Sequence, residues 1–277
     1  MASMTILMER RTSRSAGWAR KFANFSLVLL LVASLGHRYG LVETLAFLWV
    51  LALVPLLAIM ALFLAALGFH RLWHYGAKGG RASLMATLVS LLVLAPFIYS
   101  AVLYLQHPHL ADITTDPEQP PAYVLAQWRR TTDMNTLGNF SVEEVALQAS
   151  AYPNLRGRRF DGSMDRVLKA IKVVVEREGW VPVQRLPSET QDERLSFEVV
   201  APTWLLRFPS DGVVRMVDEG EAVFVDLRLS QRYFWHDLGS GARRIERFMA
   251  ALDAEFDRQS LEIIDIPASA GEEDSGD

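Results

Sequence analysis

Apolar positions follow two different rhythms along this chain. Up to about residue 105 they come as long unbroken runs, and beyond it they recur with the periods of amphipathic helices and half-buried strands. The first run extends from about Phe22 to Tyr39, around the core Phe25-Ser-Leu-Val-Leu-Leu-Leu-Val-Ala-Ser-Leu35. The second, Thr44 to Phe69, and the third, Ala82 to Leu105, carry no charged residue. Crossing a bilayer as a helix takes about 20 mostly apolar residues, so the pattern predicts three transmembrane helices. Pro55 and Pro96 lie inside the second and third, which membrane helices tolerate when neighbours re-satisfy the backbone. Cleavage of the first as a signal peptide is disfavoured, because Ala33-Ser34-Leu35 ends in a large residue and a second span follows at once.

Downstream the rhythm changes. Asp112-Ile-Thr-Thr-Asp-Pro-Glu-Gln-Pro-Pro-Ala122 is held extended by its prolines and reads as a connector. Residues 123 to 160 are weakly patterned, with a short helix expected between Ser141 and Ser150. Met164, Val167, Leu168, Ile171, Val174 and Val175 recur at helical spacing, capped by Ser163 or Asp161 and closed by Gly179. Strands are expected at Trp180–Gln184, across Leu195–Ala201, and at Trp204–Phe208 and Val213–Val217 around a Pro209-Ser-Asp-Gly212 turn. After the Glu219-Gly220 turn, Val223, Val225, Leu227 and Leu229 alternate with Phe224, Asp226, Arg228, Ser230 and Arg232. A last helix runs from about Ser240 to Arg258, and Leu261-Glu-Ile-Ile-Asp-Ile266 reads as an edge strand.

The fold class is therefore three N-terminal transmembrane α-helices followed by an α+β domain, its mostly antiparallel sheet packed by helices on one face. The expected divisions are a cytoplasmic segment 1–21, a membrane region 22–106, a periplasmic domain 107–266 and a disordered acidic tail 267–277.

Charge gives the membrane region a direction. Arg10, Arg11, Arg14, Arg20 and Lys21 precede the first span, Arg38 alone sits in the first loop, and Arg71, Lys78 and Arg81 flank the second. The alternation predicts a cytoplasmic N-terminus and an outward-facing domain, which in a two-membrane bacterium means the inner membrane and the periplasm. The net charge of −4 adds little, and with no block of Lys/Arg in the domain nucleic acid is not an expected partner. Cysteine is absent, which excludes disulfides, thiolate metal sites and cysteine nucleophiles. Glu43 at the start of the second span reads as an interfacial carboxylate, and His70 and His74 as interfacial histidines more than as a metal pair.

Three stretches carry a family likeness. They are the connector Asp112–Pro121; Glu198 through Arg215; and Asp226-Leu-Arg-Leu-Ser-Gln-Arg232 with Asp237-Leu-Gly239 and Ala242-Arg-Arg-Ile245. In order and spacing they resemble the bacterial domain of unknown function 1499 (DUF1499), some members of which carry membrane helices ahead of the domain. The sequence departs from that pattern at Ser210, where the first of two aspartates is usual, at Leu229 and Gln231 in place of serines, and at Gly241 in place of asparagine. The resemblance implies a domain identity and no reaction.

The strongest chemical constellation is Arg215, Arg228, Arg232, Asp211, Asp237 and Arg244. Seven arginines and no lysine occur between Arg207 and Arg247, and the planar guanidinium fork suits bidentate recognition of carboxylate or phosphate. An anionic phospholipid headgroup is one natural ligand. Seven acids in the same window offer internal ion pairing instead. Ser–His–Asp catalysis would need Ser230 or Ser240 to converge with His236 and Asp237, and no Gly-x-Ser-x-Gly elbow is present. No cofactor or metal is expected. The aromatic run Gln231-Arg-Tyr-Phe-Trp-His236 is either packing beneath a loop or an exposed patch for a bilayer or partner. Together these features suggest a membrane protein that binds a lipid headgroup, an envelope protein or its own copies, with a role in envelope maintenance. A periplasmic membrane-anchored hydrolase using Asp211, Asp237 and His236 is the alternative.

Overall fold

The computed structural model describes residues 13–190 and 192–264. Three long helices open it: α1 (Arg14–Arg38), α2 (Thr44–Tyr75) and α3 (Gly80–Gln106). All three are long and apolar enough to cross a bilayer. α2 and α3 run through Pro55 and Pro96 without ending. Their buried positions are mostly small: Ala16, Ala19 and Ala23 on α1, Ala58, Ala61, Ala65 and Gly68 on α2, Ser83, Ala86 and Ser90 on α3. Large residues such as Leu31, Leu56, Phe63 and Leu92 are exposed. This inversion is the mark of helices solvated by lipid, where close backbone packing replaces the hydrophobic effect. Glu43 is exposed just before α2, and the rings of His70 and His74 lie 4.4 Å apart on one helix face. By compactness the chain forms two units: residues through Leu103 with Trp204–Arg207, and Tyr104–Thr203 with Phe208 onward.

The second unit contains β1 (Asp112–Thr114), α4 (Ala126–Arg129), α5 (Val142–Ala151), β2 (Arg158–Asp161), α6 (Met164–Arg177) and β3 (Val181–Pro182). It continues with β4 (Arg194–Pro202), β5 (Pro209–Asp218), β6 (Ala222–Gln231) and α7 (Ser240–Ile264). The sheet is antiparallel throughout, in the order β1-β6-β5-β4-β3, with β2 sharing the β1 side of β6. Strand alternation gives it one apolar face. Phe197, Val199, Val214, Met216, Val225, Leu227 and Leu229 pack against α6 and α7, and Trp180 stacks on Phe248 at 4.8 Å between ring centres. Each fully buried large side chain contributes about 1.5–3 kcal/mol. Gly212 keeps this face flat, since a Cβ there would lie 2.7 Å from Leu229 Cδ2 and 2.9 Å from Val199 Cγ2. α6 stops at Gly179, whose φ of 66° closes the last turn in a conformation glycine adopts freely. Ser163 is the residue that precedes α6, and Ser141 forms a full capping box with Glu144 at α5.

Several expectations are corrected. The β4–β5 turn is not Pro209–Gly212. It lies between Thr203 and Phe208, closed by Thr203 N–H to Phe208 O (2.9 Å) and Phe208 N–H to Thr203 Oγ1 (2.9 Å). Pro209, Ser210 and Asp211 are inside β5, so no strand occupies Trp204–Phe208. The Thr203 side chain and the positive φ of Arg207 supply the reversal that the Pro-Ser-Asp-Gly composition suggested one turn later. Leu261–Ile264 continues α7 in place of an edge strand, the helix being carried past Arg258 by Gln259 Nε2 donating to Glu255 Oε1 (3.1 Å) and Ser260 Oγ donating to Phe256 O (2.9 Å); the remainder of that stretch and the acidic tail lie outside the described residues. The connector adds β1, and Arg158–Asp161 adds β2, neither of which shows a period long enough to read.

Candidate functional site

The second face of the sheet is polar, and register decides what meets on it. Asp211 pairs with Ser230, Val213 with Arg228, Arg215 with Asp226 and Glu198 with Val213 across the three long strands. Asp112 and Thr114 of β1 extend the same face, opposite Ser230 and Arg228. Arg215 donates from Nε to Asp226 Oδ2 (2.7 Å) and from Nη2 to Asp116 Oδ2 (3.0 Å). Arg228 makes a two-pronged pair with Asp112 (3.0 and 2.9 Å) and donates to the carbonyls of Pro121 (3.1 Å) and Gly138 (2.7 Å). Its guanidinium lies between the rings of Tyr123 and Phe140, 4.8 and 4.7 Å from their centres. Asp211 receives Arg232 (2.7 Å) and Arg130 (2.9 Å) together.

Residues 115–140 form a cover over this face, and Glu198 is its deepest fastening. The buried Glu198 carboxylate accepts the consecutive N–H groups of Val124, Leu125 and Ala126 at 2.5, 2.6 and 2.7 Å. That satisfies the start of α4, whose free N–H groups otherwise have no acceptor. Tyr123 and Ala126 then pack on Val213. Arg130 adds hydrogen bonds to Asn135 O (2.7 Å) and Ser230 O (3.1 Å). On the open edge of β1, Gln148 imitates a strand: its Oε1 accepts Thr114 N–H (3.1 Å) and its Nε2 donates to Thr114 O (2.8 Å).

The other two predicted residues sit apart, around α7. Asp237 accepts Gly239 N–H (2.8 Å) and Gly241 N–H (2.7 Å), serving the helix start. Arg244 reaches Ser210 Oγ (3.0 Å) and Ala201 O (2.5 Å) from α7. Thus Arg215, Arg228, Arg232 and Asp211 share one face, while Asp237 and Arg244 do not join them. The proposed hydrolase groups are likewise divided. Asp211 holds two arginines, Asp237 holds a helix start, and His236 is engaged by Leu238 N–H at Nδ1 (2.8 Å) and His107 O at Nε2 (3.1 Å).

Burial sets the electrostatics. It raises the Asp112 and Asp226 carboxyls above their ordinary range even though Arg228 and Arg215 pull them back. Burial also raises Asp237, against the pull of the Gly241 and Gly239 N–H groups, and lifts the Tyr123 phenol well above its usual value. The Arg244 guanidinium is pushed down to about 10 by the same desolvation. Among the described residues no three His, Asp or Glu side chains gather in a way that could hold a metal ion.

Sequence reasoning missed Arg130, Asp112, Asp116 and Gln148 as members of this network. Glu198 appeared only as a polar position of the expected Leu195–Ala201 strand and within the family likeness, with no role attached. The missing signal is spatial, since Arg228 lies 107 residues from Pro121 and 116 from Asp112. No curated protein matches the chain. The model of the family of proteins of unknown function DUF1499 matches residues 112–252, spanning the sheet, its cover and the first half of α7. Half of the chain thus falls within that one model, and the protein belongs to the DUF1499 family.

Proposed function

We propose that this membrane protein is a binding module of the bacterial cell envelope, docking a protein partner through its folded domain and performing no turnover. The observation that carries the reading is the fastening of residues 121–130 by Glu198, Arg228 and Arg130. That fastening leaves Val124 and Trp128 exposed, Trp128 to 87%. A rigid strap that presents an aromatic side chain to solvent lowers the ordering cost of recognition. The arginine forks are already filled by carboxylates and carbonyls, so headgroup capture through them would require opening buried pairs. This weighs for a protein partner over a lipid headgroup. The separation of Asp211, Asp237 and His236 weighs against hydrolysis.

The orientation belongs to the same proposal. The five basic residues before the first span support a cytoplasmic N-terminus in the inner membrane and a periplasmic domain. A reporter fused after Asp277 and active only outside the cytoplasm is expected to work, and one active only in the cytoplasm is expected to be silent. For docking, a photo-crosslinking amino acid at Trp128 in living cells is expected to give one discrete protein adduct that Glu198→Gln abolishes. An adduct indifferent to Glu198→Gln, or none, would count against the strap as the docking surface.

A further inference from the structure

We propose that Phe234 and Trp235 form an interfacial anchor by which the folded domain enters the headgroup layer of a lipid bilayer. The inference does not depend on the docking role of the strap. It begins with exposure: in the link between β6 and α7, Phe234 is 52% and Trp235 85% exposed, while His236 and Asp237 on their C-terminal side are buried. Within the aromatic run Phe234 and Trp235 are therefore the exposed members, while Gln231 and His236 at its ends are buried. Phe208 extends the patch, its ring edge-on to Phe234 at 5.7 Å.

The exposed conformation is built. Phe234 has a φ of 67°, a left-handed backbone that disfavours a bulky side chain. Asn135 holds it there, donating from Nδ2 to Phe234 O (2.6 Å) and Gln231 O (3.1 Å) and from its backbone N–H to Arg232 O (2.7 Å). A link needing only to turn would be less strained with glycine or asparagine at 234, and the structure instead stabilises an aromatic residue turned toward solvent.

Position supplies the partner. The His236 ring lies 4.7 Å from Tyr104 and 4.9 Å from His109, and Tyr104 is in the last turn of α3. Tyr104 and His236 belong to the same compact unit, and Trp235 is one residue from His236, so chain continuity keeps Trp235 near the C-terminal end of the α3 apolar run. Tyrosine and tryptophan at that level place an apolar ring in the acyl boundary and a polar edge among headgroups. Residues 231–236 also contain no carboxylate, and Arg232 is already paired with Asp211, so entry into the headgroup layer strips water from no acid of the segment.

The natural chain contains no cysteine, which makes single-site labelling clean. Full-length Phe234→Cys, Trp235→Cys and Glu221→Cys would each carry an environment-sensitive fluorophore in nanodiscs of phosphatidylethanolamine and phosphatidylglycerol. Glu221 is exposed at the opposite end of β6, roughly 30 Å away along the strand. Matching melting curves would establish that all three fold. Labels at 234 and 235 are expected to lose fluorescence to nitroxide-bearing lipids and to be protected from iodide, with the label at 221 behaving oppositely. Labels at 234 and 235 quenched by iodide as readily as at 221 would overturn the proposal. So would protection from both quenchers, which would place the patch against a second copy of the chain.

Discussion

Arg228 on β6 grips Asp112 on β1 with two hydrogen bonds of 3.0 and 2.9 Å, joining the sheet's polar face to the first residues beyond the membrane. Both side chains are largely buried, at 5% and 19% exposure. The pair is worth most as an arrangement that cannot lose one member. Arg228→Ala strands a buried carboxylate and is expected to destabilise the protein by about 3–5 kcal/mol. The double variant Arg228→Met with Asp112→Leu removes both charges and is expected to recover most of that loss. Denaturant midpoints of the full-length protein in detergent check both values, and an undiminished deficit in the double variant would contradict the pairing argument.

Glu198 predicts a local effect. Glutamine offers one acceptor where three N–H groups need satisfying, and its amide N–H₂ would face a donor. Glu198→Gln is expected to cost about 1.5–3 kcal/mol. Hydrogen exchange is the sharper readout: amides 124, 125 and 126 should exchange much faster, while those of α6 keep their protection.

Acid sensitivity follows from Glu255. Hydrogen bonds from Arg258, with Gln259 and Arg177, hold its carboxyl down to about 2, against an ordinary value of about 4.3. A depressed carboxyl contributes stability that is complete above the ordinary value and is lost as pH falls toward the folded one. The melting-temperature gap between the wild type and Glu255→Gln should therefore be widest at neutral pH and close between about 4.3 and 2. Asp112, Asp226 and Asp237 act with the opposite sign. Their raised carboxyls favour the fold at low pH, and that contribution fades as pH rises through their shifted values. A gap that widened on acidification would contradict the assignment of Glu255.

Gly212→Ala tests the flatness of the apolar face. The added methyl meets Leu229 and Val199 side chains inside van der Waals distance and is expected to cost about 1–3 kcal/mol. Leu229→Val in the same chain should reduce that cost, measured by thermal unfolding.

The local patterns were reliable where the period was long. Long apolar runs predicted α1, α2 and α3, although α1 begins at Arg14, ahead of the run that opens at Phe22, and the 3.6-residue stripe from Met164 to Val175 predicted α6. The Val223–Leu229 alternation placed Asp226, Arg228 and Arg232 together on one face of β6. β1, β2 and α4, of three or four residues each, are too short to show a period and left no such trace. The β4–β5 turn was misplaced because proline, serine, aspartate and glycine favour turns by composition. Thr203 makes the turn by hydrogen bonding, which composition does not record.

By itself, the sequence determined the membrane character, the antiparallel α+β class and the arginine-rich face, because burial in lipid or core demands a periodic pattern that neighbours along the chain display. Only the tertiary structure decided that this face is filled by the protein's own strap. It alone separated Asp237 and Arg244 from the other four residues and turned Trp235 outward. Those outcomes depend on which side chains meet across about a hundred residues, and ion pairs and hydrogen bonds between distant groups leave no periodic mark on the chain that makes them.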